Sequence, residues 1–396
     1  MNSLNRNLSR LMRINRNLIN YQRFAPKVYS VPVFACDRPI ITGCRPMNLD
    51  IPVSFRSFST RIKEEHVKLN SLDFHVHPGF GIVKAIGEGV DYVIKPASPQ
   101  EYPDADRAFV SIYGLSSSSS DTIKVELSGE KKDTLAVSSA PGSSRLYCEI
   151  EVPIKYDISA DLQNDACLQI MGMEADEVDV TTEDGDLETR GLKSHNIHIK
   201  TQHGNITADG TLQGNIFIIA KSTNLKAKRL QGLKMNIIAE ELNTNVQSSY
   251  MNEGQITAHR GDIVINHLHG STSLTLNQGK LSLNGLHGHL MGSVGTGKVD
   301  VQVTEITEDS TLELQEGSLL VSVLDEPRHN LQVTAPSVEV SEEISSQPTA
   351  STSSTSLSLK AGGGTQANTF TAEVVNGSAK VQRQDWFSTL GINIGR

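Results

Sequence analysis

Four histidines form two close clusters within residues 267–292, HLHGSTSLTLNQGKLSLNGLHGHLMG. Imidazole is a common metal ligand and the side chain that most often changes charge near neutral pH. His269 and His287 are the central residues of two identical Leu-His-Gly triplets. If the triplets occupy equivalent positions in neighbouring parallel strands, the two rings lie about 4.8 Å apart. The pair is therefore a weak candidate for a shared zinc ion, with His267 and His289 nearby but no cysteine or carboxylate within the stretch.

The alternative for these two histidines is a row of exposed polar side chains. Gln213 and Gln231 occupy the same position in earlier Leu-x-Gly triplets, so the position accepts side chains that differ in charge and in metal affinity. Two stacked imidazoles also resist double protonation, because like charges at this distance lower each other's pKa. The pattern predicts a weak pH response with or without a metal ion.

Three further motifs resemble functional sites, but their surroundings favour a structural explanation. Residues 292–299, GSVGTGKV, have the spacing of a phosphate-binding loop, yet Val299 stands where that loop needs Ser or Thr, and a strand follows instead of a helix. Residues 260–262, RGD, match an integrin-binding tripeptide but coincide with a repeated glycine turn. His75 and His77 lie on one face of a predicted strand, where an isolated pair is more often a surface feature than a metal site.

Paired carboxylates would indicate a glycosidase, which needs two of them about 5–9.5 Å apart. Asp186 and Asp262 both follow a turn, but they are four repeats apart, which is about 19 Å at the usual strand spacing. They cannot act as a pair. The residues between them predict instead a ladder of stacked asparagines, formed by Asn205, Asn224 and Asn245.

The densest acidic segment is residues 173–188, MEADEVDVTTEDGDLE. Asp179 could meet Asp184 or Asp186 across one turn and hold Ca²⁺, which prefers oxygen ligands. Neighbouring side chains of a strand point to opposite faces, however, so a solvated acidic face is the favoured interpretation. No catalytic residue and no cofactor-binding residue is predicted.

The elements that position these residues are short strands in a repeat. Between residues 173 and 324 the chain alternates strand, turn, strand and corner, with Thr223 and Thr244 in place of two turn glycines. The predicted turn glycines are Gly185, Gly204, Gly261, Gly279, Gly297 and Gly317. A unit of this length cannot bury its own apolar side, so it must stack on its neighbours. The sequence therefore predicts an all-β, single-stranded β-solenoid, similar to a parallel β-helix, with coils of about 17–21 residues.

The repeat divides the chain into five predicted segments. Residues 1–59 are a mitochondrial transit peptide, residues 60–155 an N-terminal antiparallel β cap, and residues 156–340 the solenoid repeats. Residues 341–368 are a low-complexity, mobile loop, and residues 369–396 form C-terminal strands and a cap. Trp386 and Phe387 are expected to plug that end. Such caps stop an open end from stacking on other chains.

The segment 1–59 carries nine basic and two acidic side chains. On a helix, the arginines of residues 6–16 face away from a leucine-rich side, which is the pattern of a mitochondrial transit peptide. The segment Arg56-Ser57-Phe58-Ser59 resembles the site cut by the matrix processing protease, so cleavage is expected near Phe58 and Ser59. The location predicted is the mitochondrial matrix; a disordered basic arm is the alternative.

The rest of the chain is acidic, because the net charge of −9 becomes −16 when the segment 1–59 is left out. Nucleic acid is not a predicted partner, since its phosphates need Lys and Arg for neutralisation. No apolar run reaches the ~20 residues that a membrane-spanning helix requires. The four cysteines show no CxxC spacing, which fits a reducing compartment.

Three segments carry a family resemblance. LYCEIEVPIKYDISADL (146–162) and VDVTTEDGDLETRGLKSHNIHIKTQHGNITADGTLQGNI (178–216) resemble the adhesin-like β-solenoid domain family of unknown function, common in bacteria. Residues 60–396 as a whole resemble an uncharacterised animal "family with sequence similarity" group bearing that domain, most specifically in GVDYVIKPASPQEYPDADRAFV (89–110). The resemblance implies a solenoid and supplies no catalytic residue.

Together these features predict a non-enzymatic, mitochondrial β-solenoid that serves as a binding or scaffold module. One long side of the stack would be its contact surface, with protein partners in mitochondria and no cofactor. The alternative is a carbohydrate-active or metal-assisted hydrolase built on a β-helix. Such an enzyme would show a groove with converging acids or a bound ion.

Overall fold

The computed structural model describes residues 66–115, 118–140, 146–324, 328–347, 349–361 and 367–383. All of them belong to one compact unit. The predicted transit peptide with its cleavage site, and Trp386 with Phe387, lie outside the described residues. The described chain is nearly all β and forms one large sheet that does not close.

The sheet contains 18 strands among the described residues. In chain order they are β1 Val67–His75, β2 Ile82–Glu88, β3 Val90–Pro96, β4 Arg107–Gly114, β5 Ile123–Ser128, β6 Thr134–Ser139, β7 Leu146–Val152, β8 Asp157–Gln163, β9 Leu168–Met171, β10 Glu174–Thr182, β11 Leu187–Thr201, β12 Ile206–Ile306, β13 Ser310–Val323, β14 Asn330–Thr334, β15 Ser337–Val340, β16 Ala350–Thr352, β17 Ser356–Leu359 and β18 Thr369–Arg383. Helix is confined there to α1, Glu342–Ser345, and a 3₁₀ turn, Ser120–Thr122. Within these described ranges no helix is long and apolar enough to cross a membrane.

The central strands β10 to β13 pair in parallel at a nearly constant sequence interval. Val178 lies opposite Ile197, which in turn lies opposite Ile216. Further along, Val299 lies opposite Leu319. Strand β12 keeps this interval within itself, because side chains such as Asn243 and Asn284 hydrogen-bond to their counterparts one repeat earlier. We call each level of this ladder, from one turn to the next, a row.

Each row buries alternate residues, because successive side chains of a strand point to opposite faces. Ile197 and Ile199 are buried, whereas His198 and Lys200 are exposed. The parallel register places aliphatic side chains on aliphatic side chains, and one cluster extends from the first strands to β18. Burying one such side chain contributes about 1.5–3 kcal/mol. Because this packing joins each row to the next, a row depends on its neighbours for stability.

The turns explain why glycine recurs. Gly261, Gly279, Gly297 and Gly317 have φ between 139° and 156°, a region that residues with a Cβ rarely adopt. A Cβ added at any of the last three would overlap the carbonyl oxygen of the glycine one row before. Gly377 has φ 143° and approaches Gly317 in the same way. The sequence did not predict Gly377, because it follows Gly317 at a much longer distance in sequence than one repeat.

We call the turn position that recurs from row to row the turn column. It also accepts other residues whose side chains do not block the carbonyl of the neighbouring row. Thr223 is buried, and its hydroxyl donates a 2.8 Å hydrogen bond to the carbonyl of Gly204 in the row before. At the next level the structure corrects the predicted alignment. Gly261 stacks on the carbonyl of Leu242, so Leu242 and not Thr244 fills the turn position of that row. The turn position of this row therefore lies at Leu242, earlier in the sequence than the predicted Thr244.

The first strands are not purely antiparallel, which corrects the prediction for residues 60–155. The pairs β1–β4, β4–β7 and β5–β6 are antiparallel. Strands β2 and β3, however, pair in parallel with β6 and β7 on one side and with β8 and β9 on the other. Their alternating buried residues, such as Val83 and Tyr92, continue the common core. The row β2–β3 thus lies between two rows that follow it in sequence.

The last strands show the same arrangement in reverse. Strand β18 pairs in parallel with β13 on one side and with β14 and β15 on the other. Strand β14 also pairs antiparallel with β17, which pairs antiparallel with β16. After β13 the chain therefore forms an outer row, β14 and β15, and a hairpin, and β18 then fills the level between β13 and that outer row.

Part of the segment predicted to be a low-complexity, mobile loop is regular structure. Residues 341–368 contain α1, β16 and β17, and Ile344, Leu357 and Leu359 are buried. The alternation Ser-Leu-Ser-Leu of β17 is a normal strand pattern. It was concealed by the surrounding run of Ser and Thr, whose composition is typical of unstructured chain.

Gly317→Ala should lower the free energy of unfolding by ~3 kcal/mol or more, because both its φ of 141° and the Gly297 carbonyl oppose a Cβ. Gly191→Ala is the matched control. Gly191 has φ 63°, but nothing lies within 4 Å of an added Cβ, so only the backbone strain of ~1–2 kcal/mol remains. Urea denaturation measures both losses. Equal losses would show that the close approach of rows is not what requires glycine.

Candidate functional site

The corner between two strands of a row presents one outward side chain. The corner leucines are buried and the corner glycines stack row on row, with Gly232 against Gly214 and Gly288 against Gly270. The residue between leucine and glycine therefore points outward above its counterpart, as Gln213 does next to Lys193. Along the stack this column contains Lys193, Gln213, Gln231, Tyr250, His269 and His287.

Three aromatic rings stack within this column. The ring centroids of Tyr250 and His269 are 4.5 Å apart with 19° between the planes, and those of His269 and His287 are 4.9 Å apart with 38°. The Arg229 guanidinium lies 5.4 Å from the Tyr250 centroid at one end. At the other end Glu305 Oε2 lies 3.5 Å from His287 Nδ1. We call Tyr250, His269 and His287 the ring column. Tyr250 was missed from the sequence because its row reads Ser-Tyr-Met and lacks the Leu-x-Gly motif.

The surroundings of His269 favour its neutral form. Burial, followed by the charges of His287 and His267, lowers the pKa of His269. The structure places His269 and His287 close enough to share an ion. Across the described ranges, however, no group of three His, Cys, Asp or Glu side chains could hold one. Of the neighbours predicted as further ligands, His289 has its Nδ1 2.8 Å from the Ser271 hydroxyl.

The asparagine ladder follows the turn column. Asn205 donates from Nδ2 to Asp186 Oδ1 at 2.8 Å, and Asn224 donates to Asn205 Oδ1 at 2.7 Å. The next donor is Asn243, 3.1 Å from Asn224 Oδ1, where Asn245 was predicted. The difference is the same displacement as at Leu242. Asn205 and Asn224 each donate one hydrogen bond and accept one within the ladder, which stabilises the stacking of rows.

The side chains of the acidic segment and of the pair His75 and His77 each have a different partner, so neither set converges on one point. Asp184 pairs with His203 Nδ1 at 2.8 Å, and Asp186 accepts from Asn205, while Asp179 lies opposite His198. His75 contacts Asp106 at 3.2 Å, whereas His77 Nδ1 accepts a hydrogen bond from the Gly79 N–H. The two histidines therefore share no partner.

The phosphate-loop and RGD motifs both lie inside β12. Residues 292–299 are strand, and Gly297 is a turn glycine, so no helix N-terminus faces a phosphate there. In the RGD motif, Arg260 pairs with Glu241 at 3.2 Å and the Asp262 N–H donates to Asn243. Both motifs are explained by the repeat.

A groove of about 1230 Å³ runs along the rows beside the ring column, and its lining includes the residues Gln247, Asn266 and Asn284. Its residues form a polar column in which Gln302 lies opposite Ser322, and Ser322 opposite Gln382. Asn284 Nδ2 donates to Asn266 Oδ1 at 2.7 Å within it. The column lining the groove comprises Lys228, Gln247, Asn266, Asn284, Gln302, Ser322 and Gln382. Tyr250 and His267 also line the groove, which therefore borders the ring column.

Charged residues line both ends of the groove, with Lys228 and Arg229 at one end and Arg383 at the other. At the Lys228 end the charge extends to two residues beside the lining, Arg190 and Asp209. Arg190 pairs with Asp209 at 3.2 Å, and Lys228 pairs with the other oxygen of the same carboxylate. The Lys228 hydrogen bond is the main reason that the pKa of Asp209 is lowered. With Arg229 adjacent, this cluster has three cations and one acid, a net charge of +2. Elsewhere in the groove, burial raises the pKa of Asp300.

The pKa of His269 should lie below the ordinary value of ~6.5, and it should rise in His287→Gln, which removes one of the two neighbouring imidazoles. Because the pKa is lowered on folding, the unfolded chain takes up the proton first as pH falls. The stability present above pH ~6.5 is therefore lost as pH falls toward the folded pKa. NMR titration of the His269 ring measures the pKa, and His269→Gln should remove this part of the pH dependence.

The matched control for the titration is His289→Gln. His289 lies near the ring column but bonds to Ser271. If this variant raises the pKa of His269 as much as His287→Gln does, the charge of His287 makes no specific contribution to the shift.

No family model matches the chain. A candidate cell-adhesion protein from Clostridium sporogenes aligns with 80% of this chain and 99% of its own, at 10% identity and a TM-score of 0.20. A candidate adhesin from Parabacteroides merdae aligns with 82% and 98%, at 7% identity and a TM-score of 0.34. One from Bacteroides fragilis aligns with 82% and 99%, at 11% identity and a TM-score of 0.26. TM-scores this low carry no property of those proteins over to this chain.

Proposed function

We propose that this protein is a mitochondrial β-solenoid that serves as a non-enzymatic binding module for a protein partner. The observation that carries the proposal is the groove. Its polar column continues through seven rows, from Lys228 to Gln382, and such a continuous depression suits an elongated partner segment. Solenoid proteins commonly bind through extended surfaces that follow the stack.

The register of the strands supports the solenoid. Parallel pairing at a nearly constant sequence interval is the pattern that successive coils of one chain produce. The antiparallel strands β5 and β16 at the outer ends are suited to act as caps, because they occupy edges that would otherwise template further pairing. The resemblance of residues 60–396 to the animal group bearing an adhesin-like domain agrees with this architecture.

One observation favours the alternative, a carbohydrate-active hydrolase. Asp300 lines the groove and its pKa is raised by burial, which is a property of general acids in glycosidases. Hydrolysis of a glycosidic bond needs a second carboxylate about 5–9.5 Å away. In the described part of the groove lining, Asp300 is the one carboxylate. We therefore prefer a binding role for the groove.

Mitochondrial import predicts processing of the N-terminal segment. The chain recovered from mitochondria should begin near Ser59, and Arg56→Ala should block or displace that cleavage, because the arginine is part of the resembled protease site. N-terminal sequencing of the recovered protein measures this. Arg45→Ala is the control, since it changes the same charge outside the site. An intact N-terminus on a protein found outside mitochondria contradicts the localisation.

The groove should be the contact surface in cells. A photo-crosslinking amino acid at Gln247 should capture a partner in intact mitochondria, because this exposed side chain lines the groove. The same amino acid at Gln255 is the matched control. Gln255 is also an exposed glutamine of β12 but does not line the groove. Mass spectrometry of the products identifies the partner; equal capture at both positions, or none at Gln247, contradicts the proposal.

A further inference from the structure

We infer that the groove binds an extended, acidic peptide segment that lies along the stack, with its carboxylates toward Lys228 and Arg229. The inference rests on the proposed binding function and adds the chemical class of the ligand. It follows from the length of the groove, the amides that line it and the charge at its end.

The length of the groove fits a short extended chain. Seven rows separated by six steps of about 4.8 Å span about 29 Å, which an extended peptide covers with about nine residues. Ligand pockets for small molecules usually enclose about 300–1,000 Å³. The groove is larger, at about 1230 Å³, and it is elongated along the rows.

The lining amides can hydrogen-bond to a peptide backbone, although their spacing of one row, about 4.8 Å, is shorter than the peptide's repeat of about 6.6 Å. An extended chain presents an N–H and a C=O on one edge at every second residue. Five amides line the groove, about one for every two residues of such a peptide. They are Gln247, Asn266, Asn284, Gln302 and Gln382. Each offers both a donor and an acceptor, and the bond from Asn284 to Asn266 uses only one of the two Asn284 Nδ2 hydrogens.

The charge of the groove selects an acidic segment. The charged residues that line the groove are Lys228, Arg229, Arg383 and Asp300, a net +2 in a chain whose total is −9. Lys228 and Arg190 share the one Asp209 carboxylate, and Arg229 lies over the Tyr250 ring. A ligand carboxylate would therefore add a second anion to three cations. Carboxylates also form stronger hydrogen bonds to Lys and Arg than neutral groups do.

Other extended ligands fit less well. Single-stranded nucleic acid needs several aromatic platforms and many cations, whereas Tyr250 and His267 are the rings that line the groove in the described residues. A peptide rich in apolar side chains would need apolar pockets, and the lining is mostly polar. An acidic oligosaccharide shares the carboxylates but lacks the regular edge of amides.

The test uses purified full-length chain and two fluorescein-labelled nonapeptides of alternating residues, Glu with Ser and Gln with Ser. The acidic peptide should bind at least about tenfold more tightly by fluorescence anisotropy, a difference that shrinks as salt is added. Arg229→Gln should abolish most of this preference. Gln247→Leu should weaken both peptides about equally, whereas Gln255→Leu should change neither.

The outcomes separate this inference from the proposed function. Equal binding of the two peptides, or an undiminished preference in Arg229→Gln, overturns the inference. So does binding of hexagalacturonate, an acidic oligosaccharide, in the absence of peptide binding. In each case crosslinking at Gln247 can still succeed, and the binding module then stands without an acidic peptide ligand. If neither peptide binds and Gln247 captures nothing, both proposals fail.

Discussion

Backbone hydrogen bonds hold the rows of this protein about 4.8 Å apart, and the rest of the structure depends on that distance. At a turn, the carbonyl oxygen of one row lies where the Cβ of the next would be. The column therefore selects glycine, or a residue such as Thr223 whose hydroxyl bonds to the opposing carbonyl. Within the strands the same spacing stacks aliphatic side chains and makes the core continuous. Stability is consequently a property of adjacent rows.

The spacing also governs the surface, where it brings equivalent side chains together. Amides benefit, because each can donate to the one before it, as Asn224 does to Asn205. Stacked imidazoles disfavour each other's protonation, so the charges of His287 and His267 add to burial in lowering the pKa of His269. Carboxylates stacked in this way would repel one another. Stacking alone therefore explains the spacing of side chains that first suggested a metal or catalytic site.

Features that follow the regular repeat could be predicted from the sequence, whereas features in rows that depart from the regular spacing could not. The strand alternation could be predicted, as could the positive φ of Gly261, Gly279, Gly297 and Gly317, because each follows from local geometry. Tyr250 could not, since its row lacks the motif that marks the column. Thr244 and Asn245 were predicted where the structure has Leu242 and Asn243, because Thr244 resembles the threonine at position 223. A single sequence offers no means to detect so small a shift of the repeat. The groove combines side chains from seven rows, so no contiguous motif reveals it.

The position of β18 has a consequence for how the chain is completed. Leu312 and Val333 lie opposite the same residue of β18, and so do Leu319 and Val338. The two members of each pair are separated in sequence by close to one repeat. Rows at such intervals elsewhere contact each other directly, so β13 and the outer row could close on each other before β18 arrives. A chain delivered N-terminus first reaches residues 369–383 last. The native end therefore requires either that this level be kept open during delivery or that a premature closure be reversed.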